Sequence, residues 1–322
     1  MDLEVMLDKC RREQWSLGDL DWSGRPRDMS REDEIAIVQY FTDMAGIERL
    51  AGALFAQQER NTDDPVLKEI FASFVKDEVR HAHAAQMLAD FYDVHRYRTY
   101  QINPALVKFT SHFVNAIKHL APELANAYIT GGELILDVAL LRSINDYVGD
   151  SMSQQAMDLI NRDESRHIAI DFHMVEYYGS AEYQERVAKR PRPTLREWVK
   201  GAWVLANVMY YASPFFKAVF FEPMRRVDPS GSRLKQAFKR IQILGTKEGV
   251  REHPFTRLML GLQDLYNDYP ASRFLFGRIM ERIVGVEASL MERLYTDAER
   301  ERAQRMSFEE LAEDALQAKL AH

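Results

Sequence analysis

Across 322 residues the chain has one cysteine, Cys10. This excludes an internal disulfide, a CxxC redox pair, a four-cysteine zinc site and a cysteine-ligated iron-sulfur cluster. Without a special electropositive setting Cys10 reads as an inert thiol. Proline and glycine are sparse, 11 and 15 residues, so the breaks between elements are few and easy to place. Alternating β-branched runs are almost absent, which removes the signal for sheet. Basic charge is not in excess: 42 Lys and Arg stand against 49 Asp and Glu, a net charge of -7. Neither nucleic acid nor a membrane is therefore expected as the main partner. The N-terminus, MDLEVMLDKCRREQWS, has early acidic residues and no uninterrupted apolar segment. No secretory signal or transit peptide is expected, and a reducing cytoplasm is the expected setting.

What is present is helix-forming, with 46% apolar residues spaced at three and four, enough for a substantial core. The expected class is all-α. A first helix opens at Ser30 and runs to about Glu59, and Asp64-Pro65 starts a second that ends near Tyr92. Asn103-Pro104 starts a connecting helix. Ala121-Pro122 restarts the chain as a long helix to Tyr147, with Gly131-Gly132 as a kink or a π-bulge. Another helix runs from Asp150 or Ser151 to Tyr178, stopped by Gly179. Residues 1–29 are read as an N-terminal extension, 30–180 as the principal helical unit, 181–193 as a linker containing KRPRPT, and 194–322 as a C-terminal helical region packed on it. That region opens with a capping box, Thr194 and Glu197, and a second box is Ser307 and Glu310. Its expected helices lie near 195–212, 214–226, 232–243, 254–268 and 271–296, with one after 307. The apolar run Gly201 to Met224 is read as a buried helix pair split by Pro214, with a membrane-contacting surface as the alternative.

One five-residue pattern, Asp-Glu-x-Arg-His, occurs twice, in VKDEVRHAHAA (Val75 to Ala85) and in NRDESRHIAID (Asn161 to Asp171). Glutamate and histidine three apart share one helix face and can offer an oxygen and a nitrogen to one metal ion. Both copies lie on apolar stripes, Phe71, Phe74, Glu78, His81, Ala85 and Leu88 in one and Met157, Ile160, Glu164, His167 and Met174 in the other. A carboxylate facing a core must be paired or ligated. Two further glutamates lie on apolar stripes: Glu48 with Phe41, Met44, Ala51, Gly52 and Phe55, and Glu133 with Ile129, Leu136 and Leu140. Glu48 precedes Glu78 by 30 residues and Glu133 precedes Glu164 by 31, while 86 residues separate His81 from His167. A whole half-site is repeated.

Glu, ExxH, Glu and ExxH on four inward helix faces form the ligand pattern of dinuclear carboxylate proteins. Over residues 30–178 the chain resembles the ferritin-like di-iron carboxylate superfamily. The resemblance implies a four-helix bundle in which Glu48, Glu78, His81, Glu133, Glu164 and His167 hold two iron ions, or a manganese-iron pair. Asp77 and Asp163 are expected to accept the second imidazole N–H of the opposite histidine. Arg80 and Arg166 are read as neutralising those aspartates or as ordinary surface arginines. Asp137 and Asp171, one turn beyond Glu133 and His167, are extra ligands, proton-delivery groups or hydrogen-bond partners. His83 and His173 fall off the ligand faces.

Within the superfamily, a radical-bearing ribonucleotide reductase would place tyrosine where Ala85 stands. A rubrerythrin would need a cysteine site, and ferritins lack so long a C-terminal region. The seventh ligand of arylamine N-oxygenases is replaced by Ile160. The resemblance then implies an O2-dependent oxygenase or oxidase, of the oxygenase and desaturase type, that hydroxylates, desaturates or N-oxygenates a small organic substrate. Val208 to Phe221 either lines an apolar or aromatic substrate's pocket or packs as core. With no GxGxxG loop and no cysteine cluster, electrons are expected from a separate ferredoxin or flavoprotein reductase. A homodimer is compatible with this reading. The alternatives are a ferroxidase or peroxide scavenger, and a non-catalytic metal-binding bundle.

Overall fold

A computed structural model describes residues 1–118, 121–189, 194–284 and 286–320. These residues are all-helical, without a strand. In chain order the helices are α1 (Leu3–Arg12), α2 (Arg31–Asn61), α3 (Pro65–Tyr92) and α4 (Pro104–Ile117). Next come α5 (Pro122–Val148) and α6 (Ser151–Gly179), then α7 (Ala181–Ala188) and α8 (Leu195–Val227). The C-terminal part holds α9 (Ser232–Thr246), α10 (Pro254–Asp268), α11 (Pro270–Val284), α12 (Ala288–Met291), α13 (Asp297–Arg305) and α14 (Phe308–Leu320).

The starts of the long helices follow their capping chemistry. Ser30 accepts from the Asp33 N–H, Asp64 from Val66 and Leu67, and Asp150 from Ser153, so each satisfies amides that have no partner inside the helix. Gly149, at φ 64°, closes α5 in the left-handed conformation and lets α6 turn back after a short break. Capping boxes form at Thr194 with Glu197 and at Ser307 with Glu310. Four of the six residues of KRPRPT, at positions 190–193, lie outside the described residues.

α2 packs along α3 and α5 along α6, with further contacts of α2 on α5 and α3 on α6. The inner faces are apolar, with Phe41, Phe55, Phe71, Phe74 and Met157 fully buried. α1 lies on α3, α9 covers the middle of α5, and α14 covers α6. α5 is not uniform. After Glu133 it widens to π-helix over Leu134–Leu141, then returns to α-helix over Arg142–Val148. The glycine pair therefore precedes a π stretch, a form common at functional positions.

The C-terminal region corrects three expectations. α8 runs unbroken through Pro214, with a π stretch at Phe216–Phe221. The widened turns just after the proline accommodate its lost hydrogen bond without breaking the helix axis. α8 is not a buried pair: only 33% of its most apolar window is buried, against 72% in α5, and Trp203 is 70% exposed. Its buried side, including Phe215 and Phe220, packs as core, and Phe215 stacks on Phe109. The helix expected over 271–296 ends at Val284, and α12 follows separately. α5 and α8 are both long and apolar enough to cross a membrane by length and composition.

Candidate metal centre

The four long helices α2, α3, α5 and α6 deliver their acidic and imidazole side chains to one place. Glu48, Glu78, His81 and Glu164 offer ligand atoms that all lie within 4.8 Å of one another, and so do Glu78, Glu133, Glu164 and His167. All six residues are buried, and Glu78 and Glu164 belong to both groups. Such an arrangement arises because each ExxH puts two donors on one face of a helix. The glutamates of α2 and α5 then close the other side. Gly52 lets α2 come close to α3: a Cβ there would sit 3.2 Å from the Glu78 Cβ.

Both histidines turn Nδ1 inward. His81 Nδ1 lies 3.1 Å from Glu164 Oε1 and 4.0 Å from both Glu48 and Glu78. His167 Nδ1 lies 3.1 Å from Glu78 Oε1 and 3.0 Å from Glu164 Oε2. The outward nitrogens cross over: His81 Nε2 meets Asp163 at 3.1 Å and His167 Nε2 meets Asp77 at 3.5 Å. For His81 the Asp163 bond favours the tautomer in which Nδ1 keeps its lone pair for the centre, while the Asp77 contact of His167 is too long for a well-formed hydrogen bond. Asp77 and Asp163 thus sit where the repeated pattern puts them.

The two arginines are not surface residues. Arg166 is fully buried and donates to Asp163 at 2.7 Å, Asp77 at 3.2 Å and Glu13 at 2.8 Å. Arg80 bonds to Asp77 and, at 2.9 Å, to Asp163. Two aspartates and two arginines make this outer layer neutral apart from the partly exposed Glu13.

The N-terminal segment completes the layer, which residue spacing did not indicate. Trp15 Nε1 donates to Asp163 at 2.7 Å across 148 positions of sequence, and its ring lies under the Arg80 guanidinium at 5.0 Å. Gln14 bridges Asp77 and Arg80. No periodicity links α1 to the motifs. The one local hint is a tryptophan in an otherwise polar stretch, which marks a buried anchor whose N–H needs a partner.

Electrostatics show what the inner cluster lacks. Burial pushes Glu78 and Glu133 well above the ordinary carboxyl range, reinforced by the nearby Glu164 charge, and pushes Glu48 up to about 7. Burial also acts upward on Glu164, but the facing His167 outweighs it and holds that carboxyl well below the usual range. Burial acts downward on the histidines, yet the bonds to Asp163 and Glu164 push His81 up to about 10. The charge of Glu164 with the Asp77 contact pushes His167 up to about 9. Asp77 and Asp163 stay low despite burial because of these imidazoles and the arginines. Protons therefore do the work of cations in the inner cluster.

The donor set fits two divalent ions. With the histidines neutral, four ionised glutamates carry four negative charges, which two divalent cations balance. Both carboxylate oxygens of Glu48, Glu78 Oε2 and Glu133 Oε2 are buried without a hydrogen bond among the described residues. Native interiors do not leave such groups unsatisfied without cause. Mixed oxygen and imidazole donors suit iron or manganese.

The other candidates are placed as follows. Asp137 and Asp171 are fully buried, but neither belongs to a ligand group. Burial holds Asp171 well above the usual carboxyl range. His83 is exposed and His173 half-buried, both outside the groups. Burial pushes the Cys10 thiol up to about 11, against a reactive role. Comparison of the chain with protein-family models, with curated proteins and with solved structures gave no match.

Proposed function

We propose that this chain is a ferritin-like di-iron carboxylate enzyme of the oxygenase or oxidase type, cytoplasmic, acting on a small organic substrate. The observation that carries the reading is the sharing of Glu78 and Glu164 between two four-residue groups. That is the arrangement expected when two ions are bridged by carboxylates inside a bundle. When bound, two reduced irons, or manganese and iron, supply the means to activate O2 for hydroxylation, desaturation or N-oxygenation.

The residues themselves bind, orient and insulate. Glu78 and Glu164 would span the two positions, Glu48 with His81 would complete one, and Glu133 with His167 the other. Asp163 and Asp77 hold the imidazole rings in register. Arg80 and Arg166 keep those aspartates ionised. Phe74 lies 4.2 Å from the His167 ring and Phe55 5.0 Å, so apolar side chains keep bulk water from this flank. Asp171 lies one turn from His167, and burial pushes its carboxyl well above the usual range, which suits it to proton delivery. The electrons come from a ferredoxin or flavoprotein partner, since the sequence has no nucleotide loop or cysteine cluster to hold its own relay.

Anaerobic loading with ferrous iron tests this reading. The wild type should take up about two irons per chain, and Glu78→Ala and His167→Ala should lose a clear share of that metal. A wild type that binds no iron, indistinguishable from both variants, would leave only a buried ion-pair network. Oxygen uptake by the reduced protein separates an enzyme from a passive metal-binding bundle.

A further inference from the structure

The turn of α5 that carries Glu133 has a second face. Thr130, Gly131 and Leu134 form one wall of a cavity of about 230 Å³, lined on the other sides by α9, α10 and the α12 region. A neighbouring cavity of about 160 Å³ shares Ala127, Val175 and Phe255 with it but is also lined by Glu123, Asn126 and His253, so the charge-free lining belongs to the larger cavity alone. At about 230 Å³ the larger cavity lies a little below the roughly 300 Å³ at which drug-sized sites begin, and so fits a smaller molecule.

The chemistry of the lining is selective. No Asp, Glu, Lys, Arg or His lines the larger cavity among the described residues; Phe238, Ile241, Met259 and Leu290 are typical of it. Two polar side chains of the lining make no hydrogen bond among the described residues, Thr256 and Gln263, and Gln263 is only 8% exposed. The other glutamine, Gln242, is occupied in holding the backbone of Leu290, Glu292 and Leu294. A buried amide without a partner calls for a ligand that supplies one. A charged head group would have no counter-charge there, and burying it would be unfavourable.

We infer that this cavity is the organic-substrate site and that it takes an uncharged, mainly apolar molecule with a single hydrogen-bonding head, of the alcohol, phenol or amide class. The head group bonds to Gln263, and the apolar body lies against Thr130, Gly131 and Leu134. Gly131 is a wall residue: a Cβ there would meet Ile241 Cδ1 at 4.0 Å, an ordinary contact. A larger side chain at this position fills the ligand's space. The substrate role rests on the di-iron reading, because Glu133 lies on the same turn; the ligand class rests on the lining alone.

The test is calorimetric binding of three probes of equal chain length, 1-octanol, octanoate and octylammonium, with iron content measured on every sample. The wild type should bind octanol at least about tenfold more tightly than either ion, a tenfold ratio being the smallest that marks real discrimination. Gly131→Leu should abolish octanol binding while retaining its iron. Gln263→Leu keeps the space and should weaken octanol several-fold. Ile241→Phe fills the same space from α9 and checks that the loss is not specific to a glycine replacement. Equal binding of octanol and octanoate, or octanol binding unchanged in both Gly131→Leu and Ile241→Phe, overturns the inference. Iron uptake without octanol binding also overturns it while the metal reading stands. Octanol binding without iron uptake upholds the ligand class and removes the substrate role together with the metal reading.

Discussion

The two halves of the centre, Glu48 with Glu78 and His81, and Glu133 with Glu164 and His167, share ligand types and spacing, but their surroundings differ. Glu48 sits on an uninterrupted α-helix that is pressed against α3 through Gly52. Its histidine is held by Asp163 at 3.1 Å, and Trp15 and both arginines also bond to that aspartate. Glu133 sits where α5 turns from α- to π-helix, one wall away from the apolar cavity. Its partner histidine is held by Asp77 at the longer distance of 3.5 Å. Both arginines and Gln14 bond to Asp77 as well, so on the proposed reading the halves differ chiefly in Trp15 behind the first and the cavity beside the second. A duplicated ligand set can therefore divide labour without changing a ligand, by changing what stands behind it.

The largest way to sharpen this comparison is pH. In the metal-free protein His81 holds its proton up to about 10 and His167 up to about 9. An ion can bind Nδ1 only after that proton leaves, so iron affinity should rise as pH rises and fall as it drops. Below these values each displaced proton changes apparent affinity by about tenfold per pH unit. Ferrous titrations at a series of pH values, with proton release followed in weak buffer, check both statements; an affinity that does not change with pH would contradict them.

A smaller effect is expected from the aspartates behind the rings. Asp163→Asn and Asp77→Asn should each lower iron affinity, within the roughly 10- to 100-fold range for such supporting groups. Asp163→Asn should lie toward the upper end, since that carboxylate also anchors Trp15. Equal losses would mean that the two halves are supported alike. The smallest effect contrasts two glycines. Gly132 has open space where a Cβ would go, whereas the Cβ at Gly52 would press on Glu78. Gly132→Ala should stabilise the fold by about 0.5–1 kcal/mol, the ordinary helix gain. Gly52→Ala should show no such gain and should reduce iron content, as read by chemical denaturation and metal analysis.

All six residues of the buried cluster were legible in the sequence because helical spacing is a local property. Three residues separate each glutamate from its histidine, and the cost of burying a carboxylate makes the pattern meaningful on an apolar face. The crossed aspartates were legible for the same reason: they precede the glutamates by one residue in both copies. Trp15, Gln14 and Glu13 were not, because their contacts span the chain and no period joins α1 to α6. The all-α class was clear from periodicity, but hydropathy could not separate α5 from α8. Both have long apolar runs, and only packing tells that one is covered by α9 while the other leaves Trp198 and Trp203 at the surface. Pro214 misled because a proline removes one hydrogen bond, which a helix can absorb in a widened turn without ending.

The most direct measurement of the central claim is the metal-to-metal distance in the iron-loaded protein by X-ray absorption. Two ions sharing Glu78 and Glu164 should give an iron–iron vector at about 3.5–4 Å or somewhat less, the separation of carboxylate-bridged pairs. Iron bound with oxygen and nitrogen neighbours but no iron–iron vector, at a loading of about one per chain, would contradict a dinuclear centre.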